Sequence, residues 1–213
     1  MYTCVCPGLG LIFYPVPKNA GTSVRNILFE LEEGRPYHDP GNLFRIFGRP
    51  GPFLPVAVGN FARIAILRDP VERFVSAYRN RVLQYGEITR EVMRQRGVSE
   101  ELPEKPDFGT FVGNLGEYRK IGQIAHHTNP QVFFLGKNPE FYQRLFSFSD
   151  LAPLRDLLSE RAGRELSLPR LRTGEGTRDA EPPSPEQVEM LKRLYAEDYL
   201  FIGKAGIPAA SDA

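Results

Sequence analysis

The sequence has few of the residues that build metal centres and disulfide frameworks. It contains two cysteines and three histidines among 213 residues. The cysteines, Cys4 and Cys6, form a single C-x-C near the amino terminus, and every histidine is distant from them. Because a zinc site needs about four ligands close together, this pair does not predict one. We expect two free thiols near a first strand, and no metal.

Two further absences exclude whole classes of protein. The sequence has no run of about eighteen apolar residues, so nothing is predicted to span a membrane. Its 27 lysines and arginines almost balance its 26 acidic residues. A formal net charge of +1 argues against a protein that coats nucleic acid through a broadly basic surface. The amino terminus lacks the basic and apolar stretches of a signal peptide, so we expect a cytoplasmic protein.

The remaining composition is ordinary for a globular domain. Hydrophobic residues make up 41% and charged residues 25% of the chain. We expect a single domain over residues 1–213, with a charged insertion at 85–106 and a polar loop at 170–183. The insertion contains little that could form core, which predicts a solvated helical excursion, with a lid or acceptor-binding role as the functional alternative.

Strand-like and helix-like patterns alternate along the chain. The apolar run at 11–16 predicts a strand, and apolar residues at helical spacing follow from Ser23. A second strand at 62–67 runs into Arg68, Asp69 and Pro70, where Asp69 can cap a helix and Pro70 suits its first position. The alternation predicts an α/β fold with a mostly parallel central sheet flanked by helices. Other predicted elements are at least one strand in 131–135 or 144–148 and helices beginning at Asp107, Leu151 and Ser184.

The stretch KNAGTS joins the first strand to the first helix and has the composition of an anion-binding loop. The start of a helix presents unpaired N–H groups and the positive end of the helix dipole. Ala20 and Gly21 are small enough for the backbone to approach an anion, and two hydroxyl side chains add donors. A plain β–α turn is the alternative. The six residues are Lys18, Asn19, Ala20, Gly21, Thr22 and Ser23.

The position of Lys18 distinguishes this loop from that of nucleoside triphosphatases. Their loop reads G-x-x-x-x-G-K-[ST], with the lysine directly before the hydroxyl that binds magnesium. Here the lysine precedes the small residues, on the strand side. This position suits contact with an outer anionic group and with the oxygen being cleaved. We therefore expect a nucleotide whose transferred group needs a lysine but no metal.

A second anion-binding segment follows the second strand. Arg68 lies at the carboxyl end of that strand, where open α/β sheets bind ligands. Ser76 follows Asp69 by two helical turns, which places it on the side of the helix where Arg68 emerges. A guanidinium and a hydroxyl there suit a second phosphate. Alone, Arg68 could equally form a structural ion pair and Ser76 could be an incidental helical serine.

Together, PKNAGTS and RDPVERFVSAYRNRV resemble the two cofactor motifs of sulfotransferases, particularly the carbohydrate sulfotransferase branch and its bacterial relatives. The resemblance implies a P-loop-like sulfotransferase fold. It also implies that Lys18 to Ser23 bind the 5′-phosphosulfate of 3′-phosphoadenosine 5′-phosphosulfate (PAPS), and that Arg68 and Ser76 bind its 3′-phosphate. The segment LYAEDYLFIG is similar to the closing helix of the family, and HHTNPQ to an H-x-x-P-Q element whose role the sequence does not assign.

The same resemblance implies a reaction, in-line transfer of the sulfuryl group to an acceptor hydroxyl or amine, of which we favour the hydroxyl of a saccharide or small molecule. Lys18 is our candidate for stabilising charge on the leaving oxygen, and His38, in a loop after the first helix, for the general base. A loose match places Arg172 and Gly174 in a loop that closes over the 3′-phosphate, with a simple exposed basic loop as an equal alternative. Alternative bases are Asp39, Glu32, Glu33 and His127.

Two other functions compete with this interpretation. A small nucleotide or metabolite kinase of the P-loop type would need magnesium and a G-K-[ST] sequence, which the chain lacks. A non-catalytic nucleotide-binding module would keep the pocket without the chemistry, and the presence of Lys18 argues against that loss. Metal-free binding of 3′,5′-ADP separates sulfotransferase from kinase, and turnover separates enzyme from module.

Overall fold

The structure, a computed structural model, describes residues 2–36, 48–50, 59–167 and 182–207. These residues form two compact units. The first contains the described parts of Met1–Asp69, Gln131–Leu171 and Leu200–Ala213, and the second contains those of Pro70–Pro130 and Arg172–Tyr199. Each unit has hydrophobic core of its own.

The described residues contain five strands and ten α-helices. The strands are β1 (Tyr2–Cys6), β2 (Leu11–Tyr14), β3 (Gly48–Pro50), β4 (Ala62–Leu67) and β5 (Arg144–Ser147). The helices are α1 (Gly21–Glu33), α2 (Pro70–Tyr78), α3 (Arg90–Arg96), α4 (Phe108–Gly113), α5 (Leu115–Tyr118), α6 (Gly122–Thr128), α7 (Gln131–Leu135), α8 (Ala152–Ala162), α9 (Pro185–Leu194) and α10 (Ala196–Lys204). A π-helical segment, Arg79–Gln84, follows α2, and a 3₁₀ turn, Pro139–Phe141, precedes β5.

The first unit is built on a five-stranded sheet with the order β3-β1-β2-β4-β5. β2, β4 and β5 are parallel, whereas β1 is antiparallel to both of its neighbours, β2 and β3. β3 therefore runs in the direction of the parallel strands, so only β1 points the other way. The predicted α/β class with a mostly parallel sheet is confirmed. Of the two later apolar runs, 144–147 is the strand and 131–135 is a helix.

The sheet is covered on both faces, which explains why β4 reads as a continuous apolar run. One face packs against α1 and α8. Of the predicted helical stripe, Val24, Ile27 and Leu28 are buried there, and Leu31 is partly buried. The other face packs residues such as Ile12 and Leu67 against α7 and α10. Alternate residues of β2 and β4 point to opposite faces, as the pleat of a strand requires.

The two cysteines lie in β1, facing the core that α1 covers. Both thiols are free and fully buried. Burial raises the pKa of Cys4 to about 12 and also raises the pKa of Cys6, so both side chains stay protonated. The prediction of two free thiols near the first predicted strand, 11–16, is confirmed, although the strand that contains them, β1, was not predicted.

The second unit is helical and has an aromatic core around Phe74 of α2 and Phe111 of α4, whose ring centroids are 5.6 Å apart. The expectation that the charged segment 85–106 offers little to a core was wrong. Ile88, Met93 and Val98 of that segment are 2%, 0% and 3% exposed and belong to this core. The segment is partly helical, as predicted, through α3.

The predicted helix starts at Asp107 and Ser184 are confirmed by hydrogen bonds. Asp107 Oδ1 accepts from the backbone N–H of Thr110 at 2.8 Å and caps α4. Ser184 and Gln187 form a reciprocal capping box at the start of α9. No helix within the described residues is long and apolar enough to cross a membrane.

Candidate functional site at the ends of β2 and β4

The two predicted anion-binding segments leave the sheet from neighbouring strands. β2 and β4 are parallel, and their register pairs Tyr14 with Ala65. Their carboxyl ends therefore reach the same edge of the sheet, where α/β proteins bind ligands. The chain continues from β2 into the loop that contains Lys18, and from β4 directly into Arg68.

The loop between β2 and α1 has an unusual backbone. Lys18 and Ala20 have φ angles of 71° and 57°, and they are the only residues other than glycine with a positive φ in the part of the chain that the structure describes. Left-handed backbone costs a residue with a Cβ about 1–2 kcal/mol, so it persists only where its surroundings impose it. Such positions cluster at ligand-binding sites, which favours a functional loop over a plain β–α turn.

Helix α1 begins without a capping side chain. Its N-cap, Ala20, has no side-chain acceptor, and the first turn contains no acidic residue. The hydrogen-bond ladder begins when Val24 N–H donates to the Ala20 carbonyl at 3.1 Å, so Gly21, Thr22 and Ser23 precede it. A helix start that has neither a capping side chain nor an acidic residue suits a bound anion, because the backbone N–H groups and the helix dipole both favour negative charge.

Arg68 connects the second segment to the first. Its Nη1 donates to the backbone carbonyl of Lys18 at 3.2 Å. Its guanidinium carbon lies 4.2 Å from the ring centroid of Phe148, within the range of a cation–π contact. The structure therefore brings Arg68 into contact with the loop between β2 and α1 at Lys18.

Sequence reasoning missed Gln131, which bonds to both segments. Its Oε1 accepts from Asn19 Nδ2 at 2.6 Å and from the backbone N–H of Arg68 at 3.1 Å. Its Nε2 donates to the Arg68 carbonyl at 2.8 Å, and Asn19 Nδ2 also donates to the Ile66 carbonyl at 2.7 Å. The signal in the sequence was the final residue of the H-x-x-P-Q element.

The structure disfavours two of the alternative bases. Glu32 accepts hydrogen bonds from the backbone N–H groups of Gly8 and Leu9 at 3.1 and 3.0 Å, so both of its oxygens hold the β1–β2 turn. Glu33 is the last residue of α1. With a rise of 1.5 Å per residue, Glu32 and Glu33 lie about 15 Å or more along the helix from Thr22.

The other predicted residues fall elsewhere. Ser76 is half-buried on α2 and His127 is buried on α6, both in the second unit. His38, Asp39, Arg172 and Gly174 lie outside the described residues, as does most of the loop at 170–183. Across the described ranges, no three histidine, cysteine, aspartate or glutamate side chains are grouped so as to hold a metal ion.

Arg73, a further charged residue of the second motif, belongs to a buried polar cluster in the second unit. Arg73, only 1% exposed, donates to the carbonyls of His127 and Asn129. Arg119 Nη2 and the Tyr195 hydroxyl both donate to the Thr128 carbonyl, each at 2.5 Å. These donors satisfy the carbonyls at the end of α6, so Arg73 has a structural role.

A family model described as "Sulfotransferase family" matches residues 1–203. The chain belongs to the sulfotransferase family. Searches of curated proteins and of solved structures each returned no match. Family membership indicates sulfotransferase chemistry. In this sulfotransferase, two segments have a geometry that suits anion binding: the loop after β2, and Arg68 directly after β4.

Proposed function

We propose that this chain transfers the sulfuryl group of PAPS to a hydroxyl of a saccharide or small molecule. The observation that carries the proposal is the start of α1, which has no capping side chain and no acidic residue in its first turn, and which follows a loop with two left-handed residues. Arg68, the second cationic group, contacts the same loop through the Lys18 carbonyl.

The groups at this edge of the sheet fit a polyanionic nucleotide. The loop and first turn of α1 offer backbone N–H groups, an ammonium and two hydroxyls, and Arg68 adds a guanidinium. All of these donate hydrogen bonds or carry positive charge, as phosphate and sulfate oxygens require. We assign the 5′-phosphosulfate to the residues from Lys18 to Ser23.

The 3′-phosphate is assigned to Arg68 on its position and to Ser76 on its place in the second motif. A guanidinium presents N–H groups in a planar fork that matches phosphate oxygens, which a lysine would not. The family resemblance adds Arg172 and Gly174 as further contacts to the same phosphate.

When bound, PAPS supplies an activated sulfuryl group and leaves as 3′,5′-ADP. Lys18 and the N–H groups of α1 stabilise the negative charge that develops on the leaving oxygen, and this charge is greater in the transition state than in the bound donor. The left-handed backbone at Lys18 sets the direction from which its side chain leaves the loop. We propose that these groups neutralise that charge without a metal.

His38 is proposed as the base that removes the proton of the acceptor hydroxyl. A histidine is suited to this because its pKa lies near neutrality. We expect His38→Ala to lower the turnover number by about 10²-fold or more and to abolish the acidic limb of its pH profile. A variant with most of its activity and an unchanged profile would transfer the role to Asp39 or His127.

The direct test is an acceptor screen with PAPS in the presence of EDTA. The chain is incubated with a panel of saccharides and small hydroxyl compounds, and mass spectrometry measures sulfated product and released 3′,5′-ADP. We expect equal amounts of the two for at least one acceptor. Phosphorylated product from ATP and magnesium, with no sulfated product from PAPS, would contradict the proposal.

A further inference from the structure

We infer that Gln131 is a positioning residue that locks the two nucleotide-binding segments into one geometry. The inference rests on the proposed function, since it concerns the same anion site. Gln131 is not placed against the nucleotide. It acts through Asn19 of the first segment and Arg68 of the second.

The side-chain amide of Gln131 pairs with Arg68 in the manner of a neighbouring strand. It accepts from the Arg68 N–H at 3.1 Å and donates to the Arg68 carbonyl at 2.8 Å. Arg68 is the first residue beyond β4, so no regular strand pairing holds its backbone there. The amide therefore fixes the backbone of the residue whose guanidinium we assign to the 3′-phosphate.

Asn19 also bonds to the backbone near the end of β4, two residues before Arg68. β2 ends at Tyr14, which pairs with Ala65, and the chain then turns away into the anion loop. Asn19 Nδ2 donates to the Ile66 carbonyl at 2.7 Å, beyond the last pair with β2. Two side-chain amides thus continue the hydrogen bonding of β4 where the strand beside it has ended, since every buried backbone polar group needs a partner.

These contacts close a ring through both segments. Asn19 bonds to Gln131, Gln131 bonds to Arg68, Arg68 Nη1 bonds to the Lys18 carbonyl, and Lys18 is covalently joined to Asn19. The ring includes the left-handed residue Lys18, so it supplies the surroundings that such a backbone requires. Moving any member displaces the ammonium and the guanidinium together.

The two amide side chains of the ring are buried, whereas Lys18 and Arg68 are half-buried. Gln131 is 1% exposed and Asn19 is 0% exposed. In a low-dielectric interior hydrogen bonds are stronger, so the bonds that the amide groups of Gln131 and Asn19 donate and accept favour one arrangement, although Asn19 Oδ1 is buried without a hydrogen-bond partner. The last residue of the H-x-x-P-Q element thereby acquires a function: it couples the sulfate end of the site to the 3′-phosphate end.

The test compares Gln131→Glu with Gln143→Glu. Glutamate at 131 keeps the shape and the acceptor but replaces the donor that faces the Arg68 carbonyl with an oxygen, which that carbonyl repels. Gln143 is a matched control, because its Oε1 accepts from the backbone N–H of Arg63 at 2.7 Å, near the other end of β4. Circular dichroism first establishes that each variant is folded at the assay temperature.

Two readouts are measured, and the first is calorimetric binding of 3′,5′-ADP, adenosine 5′-phosphate and adenosine 3′-phosphate. We expect Gln131→Glu to weaken 3′,5′-ADP about tenfold or more, and to weaken both monophosphates, because each half of the site is displaced. Gln143→Glu should bind all three ligands within about twofold of the unaltered protein.

The second readout needs no nucleotide. Hydrogen exchange of the peptides that contain residues 17–23 and residue 68 should become faster in Gln131→Glu and stay unchanged in Gln143→Glu. If Gln131→Glu does not fold, Gln131→Asn, which withdraws the amide by one methylene, is judged by the same two readouts.

The outcomes separate the inference from the function on which it rests. Unaltered protein that binds 3′,5′-ADP, with Gln131 variants of equal affinity and equal exchange, would overturn the positioning role and leave the proposed function standing. Unaltered protein that does not bind 3′,5′-ADP would overturn the proposed function. In that case, faster exchange in Gln131→Glu alone would still support the ring as a device that fixes the loop.

Discussion

At the residue scale, two side chains have different tasks on the same loop. Lys18 is the residue that we propose brings positive charge to the nucleotide, whereas the fully buried Asn19 bonds to Ile66 and Gln131. Neighbouring residues can have different roles here because the left-handed backbone at Lys18 turns their side chains in different directions.

Lys18→Ala should nearly abolish sulfuryl transfer without unfolding the protein. Removing one group that stabilises transition-state charge costs on the order of 10²–10³ in the turnover number. The measurement is the rate of 3′,5′-ADP release from PAPS with an acceptor found by the screen. Lys137→Ala, which removes an exposed lysine of the same unit, is the control and should keep the full rate. A Lys18→Ala enzyme with near-normal turnover would refute the assignment.

Asp107 makes the free energy of unfolding depend on pH, and a single substitution can measure its share of that dependence. Hydrogen bonds from the Thr110 backbone and hydroxyl, at 2.8 and 2.9 Å, hold the pKa of Asp107 below its usual value of 3.8. A lowered pKa means that the unfolded state binds protons more readily. The contribution of Asp107 is therefore complete above that usual value and is lost as the pH falls through the lower pKa of the folded state.

Asp107→Asn separates the cap from the charge. Asparagine accepts the same backbone hydrogen bond but does not titrate. We expect the free energy of unfolding in urea to decline less steeply between pH 5 and pH 2 for the variant than for the unaltered protein, while both stay folded near neutrality. Equal slopes would show that the cap carries no proton linkage.

At the scale of elements, the charged segment 85–106 is part of a core. Met93→Ala in α3 should lower the free energy of unfolding by about 2–5 kcal/mol, because it deletes a fully buried side chain. Met190→Ala in α9 is the matched control in the same unit, since Met190 is 52% exposed, and it should cost no more than about 0.5 kcal/mol. If the two variants lost equal unfolding free energy in urea denaturation, the segment 85–106 would instead be a solvated excursion that contributes little to the core.

Helix α1 shows what a sequence pattern can and cannot predict about an element. The buried stripe of Val24, Ile27 and Leu28 and the small residues before it were enough to predict a helix with an anion-binding start. The pattern could not predict positive φ at Lys18 and Ala20, because neither residue type favours that backbone.

At the scale of the whole molecule, contacts between distant parts of the sequence were hidden. Gln131 bonds to Asn19 across 112 residues, and a single buried amide leaves no periodic signal. Met93 stands among charged residues, so its burial depends on aromatic partners that come from other segments. The antiparallel pairing of β1 depends on its neighbours β2 and β3 and not on its own composition. The mostly parallel character of the sheet, by contrast, followed from the alternation of strands and helices.

The central claim is a nucleotide site in which Arg68 binds a 3′-phosphate and no metal takes part. Calorimetric titration of 3′,5′-ADP in EDTA, on the unaltered protein and on Arg68→Ala, tests it most directly, with Arg144→Ala as a control for loss of an exposed arginine of the same unit. We predict binding by the unaltered protein and by Arg144→Ala, and a loss of about 10²-fold or more in Arg68→Ala. No binding of 3′,5′-ADP in EDTA, together with binding of ATP and magnesium, would contradict the account.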